Sequence, residues 1–196
     1  MPQTVPTSAE AIAALGVERR VGISDGDYLD LFLKAEDLEP RMNLMQDSRL
    51  QGPDPADVWF PKHQGILTGM SIWLGSTGEP VWRLVDIRTV FPTEYTASAW
   101  HAEAMAYNSE GMPHVDGAPP VGQECCVFGG TNPSPLDPRV MLTAFFYLFR
   151  HGRVVVKLFV MQGVEAGTPL TPARVAEIAR RIDDRISRVQ RRRQSG

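Results

Sequence analysis

Cysteine is scarce in this chain and badly placed for cross-linking. Cys125 and Cys126 are the only two, and they are adjacent. Neighbours in a strand point to opposite faces and a bond between them demands strained geometry, so no structural disulfide is expected and both read as reduced, half-buried thiols. That usage fits a reducing compartment. Long hydrophobic runs are missing as well, with nothing near the roughly 20 apolar residues a membrane helix needs. The first residues, Met1-Pro-Gln-Thr-Val-Pro-Thr-Ser8, lack the basic start and apolar centre of a secretory signal. The chain therefore reads as cytoplasmic as written, or as exported where a leader has been removed. Gly129-Gly130 lacks the Lys and helix of a phosphate loop, and no serine sits in a Gly-X-Ser-X-Gly elbow. No Cys-X-X-Cys or His-Glu-X-X-His pair offers zinc spacing. Accordingly no catalytic residue, metal ligand or cofactor is assigned.

What is present is a globular composition, 43% hydrophobic and 22% charged over 196 residues, enough for one domain with a proper core. Its clearest stretch is a hairpin. The run Arg139-Val-Met-Leu-Thr-Ala-Phe-Phe-Tyr-Leu-Phe-Arg150 is followed by His151-Gly152 and then by Arg153-Val-Val-Val-Lys-Leu-Phe-Val-Met161, two β-rich runs about a short glycine turn. Val154, Val156, Leu158 and Val160 make one wholly apolar face, and the opposite faces carry aromatics, so this pair belongs at the covered centre of a sheet.

Around it the chain divides into an N-terminal extension (1–27) with a short helix from Ser8, a single α+β domain (28–189) and a basic flexible tail (190–196). Residues 28–38 lean to helix. Residues 41–62 read as an apolar loop carrying Met42, Leu44, Met45, Trp59 and Phe60. A second hairpin pairs 65–74 with 81–91; its Val85, Ile87 and Phe91 are expected inward, with Asp86 and Arg88 on a solvated or lightly paired edge. Pro92-Thr-Glu opens a helix through residue 108, with Tyr95, Ala99, Ala102 and Ala106 as a stripe. Residues 109–122 form a loop too long to be a simple connector, 121–128 a short strand, and 129–138 a turn. The last helix has Thr171 as cap, Pro172 at its first position and a stripe of Val175, Ile178, Ala179, Ile182, Ile186 and Val189. The expected fold is α+β, a mainly antiparallel sheet with helices packed on it as a two-layer sandwich.

Candidate site residues come from the aromatics and histidines. Trp59, Phe60, Trp73 and Tyr147, with His63 and His114, are expected to line a cleft between sheet and loops, bounded by the apolar 42–62 segment and the 109–122 loop. His63, His114 and Glu124, if convergent, would make an acid–base site for a small hydrolase or isomerase. His101 and Glu103, two apart on a helix, do not face each other. The C-terminal segment from Pro172 holds eight Arg against three acidic residues, in a chain of net charge -3. Its arginines interleave with acids and the aromatics for base stacking lie elsewhere, so a solvated helix face is favoured and no nucleic-acid partner is expected.

Pro120-Val-Gly-Gln-Glu124, Phe149-Arg-His-Gly-Arg-Val-Val-Val156 and Ala176-Glu-Ile-Ala-Arg-Arg-Ile-Asp-Asp-Arg185, with the helix over 96–106, resemble the actinobacterial sensor-type domains of secreted lipoproteins and of some serine/threonine kinases. The resemblance covers about residues 65–187 and rests on layout. It implies a sandwich that binds a ligand or partner and performs no chemistry. Those domains are normally exported and often disulfide-bonded, whereas this chain shows neither a signal nor a bridgeable cysteine pair. The functional expectation is a binding module for a small apolar ligand or peptide. The alternative is a protein-partner or assembly factor, with a homodimer as one form, acting through the 42–62 segment or the C-terminal helix.

Overall fold

The computed structural model describes residues 23–38, 42–48, 67–75, 81–134, 137–164 and 170–194. Its elements are α1 (Asp25–Asp30), a 3-10 turn (Ala35–Asp37), β1 (Met42–Ser48), β2 (Leu67–Gly75), β3 (Val81–Val90), α2 (Glu94–Ser109), β4 (Glu124–Pro133), β5 (Met141–His151), β6 (Val154–Gly163) and α3 (Pro172–Gln194). One six-stranded sheet runs β1-β2-β3-β6-β5-β4, antiparallel throughout. It consists of two three-stranded meanders, β1-β2-β3 and β6-β5-β4, welded along β3 and β6. This is the α+β arrangement expected. No described helix is long and apolar enough to cross a membrane.

The central hairpin forms where its alternation placed it. Gly152 takes the first of two turn positions at φ 56°, the conformation a tight hairpin asks of that position and glycine adopts without strain. A Cβ there would also meet Gln190 Nε2 at 2.1 Å. Along β5 and β6, Tyr147, Phe149, Val156, Leu158 and Val160 face one side. Phe146, Leu148 and Val155 face the other.

Helices cover both faces. Val175, Ile178, Ala179, Ile182, Ile186 and Val189 of α3 join Tyr28, Leu31 and Phe32 over the first face. Thr171 caps α3 through Arg174 N at 3.2 Å. Its N-terminus is pinned where Tyr147 Oη donates to the Pro172 carbonyl at 2.6 Å, and burial pushes that phenol up to about 12. The helix runs to Gln194 rather than fraying at 190, because Gln190 Nε2 donates to the His151 carbonyl at 3.1 Å and His151 Nδ1 lies 2.7 Å from Asp183 Oδ1.

On the second face, α2 buries Ala97, Trp100, His101 and Ala104. The expected stripe faces elsewhere: Tyr95 is 83% exposed, and Ala102 and Ala106 lie in solvent. Alanines sit on every side of this helix, so their spacing does not select a face; Trp100 and His101 do.

Three further expectations are corrected. Residues 42–48 are an edge strand rather than loop, paired with β2 through a bulge between Leu44 and Gln46. Residues 129–133 continue β4 instead of turning, because Gly129 leaves room for Phe145 and Val115, whose side chains would lie 2.8 Å from a Cβ there. Most consequential, Asp86 and Arg88 are fully buried in the centre of the sheet, not on a solvated edge.

That pair is stabilised by backbone. Asp86 Oδ2 accepts from Leu33 N at 2.8 Å, Arg88 Nε donates to the Leu31 carbonyl at 2.9 Å and Nη1 to Ile87 O at 3.1 Å, while Nη1 also pairs with Asp86 Oδ1. The guanidinium lies 5.8 Å from the centre of the Phe32 ring. Desolvation nevertheless dominates, raising the Asp86 carboxyl and lowering Arg88 to about 10. Asp86→Ala is expected to cost about 3–5 kcal/mol by stranding the guanidinium, and Asp86→Leu with Arg88→Met considerably less. Urea unfolding of both variants checks this; a single variant as mild as the double overturns it.

Candidate functional site

Of the residues expected to line one cleft, Trp59, Phe60 and His63 lie outside the described residues. The other three occupy different places. Trp73, on β2, is packed into the core with Nε1 donating to Ser71 Oγ at 3.0 Å. Tyr147 shares that face but sits three strands away on β5, about 14 Å by the usual strand spacing. His114 bridges to β4 on the opposite face, its ring 4.5 Å from that of Phe128. Nor does His114 meet Glu124: Phe128 lies four residues beyond Glu124 along β4, about 13 Å at strand rise. Residues 42–48 and 109–122 stand at opposite edges of the sheet.

Glu124 finds a different histidine. The β4–β5 register sets Glu124 opposite Arg150, whose Nε and Nη2 grip Oε2 and Oε1 at 2.8 and 3.0 Å; Ser98 Oγ donates to Oε1 at 2.8 Å. His101, descending from α2, brings Nδ1 to 3.5 Å from Glu124 Oε2 and Nε2 to 3.4 Å from the Leu148 carbonyl. Cys126 Sγ lies 3.9 Å from the same Nε2. Thiol, imidazole and carboxylate thus stand in the order of an activated nucleophile, a constellation that sequence spacing does not show.

Its electrostatics oppose activation. Burial pushes the Cys126 thiol up to about 11, and the neighbouring Cys125 and Glu124 add to the rise. Arg150's hydrogen bonds hold Glu124 below the ordinary carboxyl value, so its charge is already engaged. Desolvation lowers His101, against the opposing pull of Leu148 O and Glu124. At neutral pH the cluster is a thiol, a neutral ring and a satisfied ion pair, which fastens α2 to β4 and β5.

The opposite side of the sheet carries a groove. A cavity of about 610 Å³ lies between the chain at Asp30, Lys34 and Glu36 and the last turns of α3 at Arg185, Arg188, Val189, Arg191 and Arg192. Arg185 anchors it: Nη1 donates to Phe32 O at 2.6 Å and Nη2 pairs with Asp37. Asp37 also accepts from Lys34 N at 2.8 Å, fixing the wall's backbone. Arg192 Nη2 reaches Asp27 Oδ1 at 2.8 Å and Asp30 Oδ2 at 3.6 Å, while Lys34 Nζ pairs with Asp30 Oδ1 at 3.0 Å. The Lys34 hydrogen bond is the chief reason the Asp30 carboxyl sits below its ordinary value. Among the described residues the side-chain walls thus offer five cations, two carboxylates and one aliphatic residue.

Among the described residues no group of three His, Cys, Asp or Glu is placed to hold a metal ion. Comparison with family models, curated proteins and solved structures returns no match.

The His101 cluster has a pH signature. Because burial depresses the ring below its ordinary 6.5, the unfolded chain takes up the proton first. Stability is full above that value and declines as pH falls below it, until the folded ring also protonates. Glu124, depressed below 4.5, adds a loss at lower pH. Urea unfolding is expected to show stability falling from about pH 6.5 downward, and His101→Gln to remove that step while keeping the acid-limb loss. An unchanged decline in the variant overturns the assignment.

Proposed function

We propose that this chain is a non-catalytic binding domain whose ligand is anionic and occupies the groove between the 30–36 segment and α3. The observation that carries this reading is the lining itself: among the described residues, Lys34, Arg185, Arg188, Arg191 and Arg192 outnumber Asp30 and Glu36, and Val189 is the aliphatic contributor. The volume falls within the range of small-molecule sites, and arginine forks match the oxygens of carboxylate and phosphate. A concave surface with an excess of one sign also concentrates ligands of the other. The resemblance to sensor-type domains fits a ligand-binding role, with the apolar ligand expected from the aromatics replaced by a charged one. The quiescent Cys126–His101–Glu124 cluster supports a role without turnover.

Calorimetric titration with pyrophosphate tests the reading. Binding is expected in low salt, to weaken as salt rises, and to fall about tenfold or more in an Arg188→Gln/Arg192→Gln variant. Equal affinity in wild type and variant removes the groove as the site.

Assembly is a second reading, favoured by β1. This strand ends the sheet, and its Leu44 and Met45 are 43% and 64% exposed, so a second copy can add its own β1 antiparallel. Light scattering is expected to show a dimer that Met45→Lys converts to monomer. A wild-type monomer at high concentration dismisses this route.

A further inference from the structure

We infer that Asp30 is a built-in competitor for the anion groove, which makes the site selective for phosphate-type polyanions over simple carboxylates; the inference rests on the function proposed above. Asp30 lines the groove and spreads its two oxygens over two of the cations, Oδ1 on Lys34 Nζ at 3.0 Å and Oδ2 towards Arg192 Nη2 at 3.6 Å. Asp27 holds the same Arg192 nitrogen at 2.8 Å from outside the lining. The empty groove therefore contains a carboxylate where the ligand's anion belongs. An incoming monocarboxylate exchanges one carboxylate for another and gains little. A ligand carrying two or more charges on phosphate oxygens draws on Lys34 and Arg192 together with Arg188 and Arg191, and displaces Asp30 into solvent.

The geometry makes that displacement inexpensive. The side chains of Lys34, Asp30 and Arg192 are 42%, 41% and 58% exposed, and pairs so wet contribute little to stability. Removing the Asp30 charge should leave the fold intact, since Arg185, Asp37 and the backbone at Phe32 and Lys34 hold the wall independently. Phosphate oxygens reach the groove either on a free metabolite or on a lipid headgroup, and the same cations serve both.

The test titrates the full chain and its Asp30→Asn and Arg192→Gln variants with pyrophosphate and with acetate. Asp30→Asn is expected to bind pyrophosphate about three- to tenfold tighter than wild type, the scale of one partly screened charge. Arg192→Gln is expected to bind it more weakly, and acetate to bind wild type not measurably. Binding by Asp30→Asn alone also supports the competitor. Wild-type pyrophosphate binding that Asp30→Asn leaves equal or weakens, or measurable acetate binding by wild type, overturns the inference while the groove stands. Pyrophosphate binding by neither protein overturns both. A parallel arm with phosphatidylcholine vesicles, with and without phosphatidylglycerol, separates the sources: cosedimentation only with the anionic vesicles assigns a headgroup, and pyrophosphate binding without cosedimentation assigns a free phosphate.

Discussion

A guanidinium and a carboxylate stand side by side in the centre of the sheet, and the chain before β1 lies where it does because of them. Arg88 and Asp86 are out of reach of water, and the carbonyl of Leu31 and the amide of Leu33 meet part of the hydrogen-bonding capacity their mutual pairing leaves. Those two peptides then orient the next ones: Phe32 O accepts from Arg185, Asp37 pairs with the same arginine, and Arg181 Nη1 reaches Asp37 O at 3.2 Å. One buried pair on β3 thereby fixes the spacing between the 31–37 segment and α3. That spacing is the width of the basic groove.

The two faces of the sheet solve the polar problem differently. Over the α1 and α3 face, the buried charges pair with one another and with backbone. Under α2, Glu124 is met by Arg150, Ser98 and His101, all side chains. That side-chain cluster holds an imidazole whose protonation burial opposes, despite an acceptor near each ring nitrogen. The pH response is therefore expected beneath α2.

Legibility followed periodicity. The β5–β6 hairpin and the aliphatic stripe of α3 were readable because strict alternation and 3.6-residue spacing leave one solution each. Asp86 and Arg88 were not, because alternation reads a charged pair as solvent-facing, and only peptide groups more than fifty positions away reverse that. The face of α2 was hidden by its alanines. Glu124 opposite Arg150 was recoverable once hairpin register was known; the approach of His101 to them was not. The groove joins residues 30–36 to residues 185–192, and no local rule connects segments that distant. Its arginines looked like an ordinary solvated helix face, which half of them would be without the opposing wall.

The weld between the two meanders carries a consequence for synthesis. β3 pairs with β6, and Val90 faces Val154, so roughly sixty residues must be made after β3 before its partner exists. At ribosomal rates of about 5–20 residues per second that is several seconds. Throughout this interval the nascent chain holds an open strand edge that carries two charged side chains, Asp86 and Arg88. The charges that later cement the sheet would meanwhile discourage that edge from pairing with a neighbouring polypeptide, acting as a chaperone written into the strand itself.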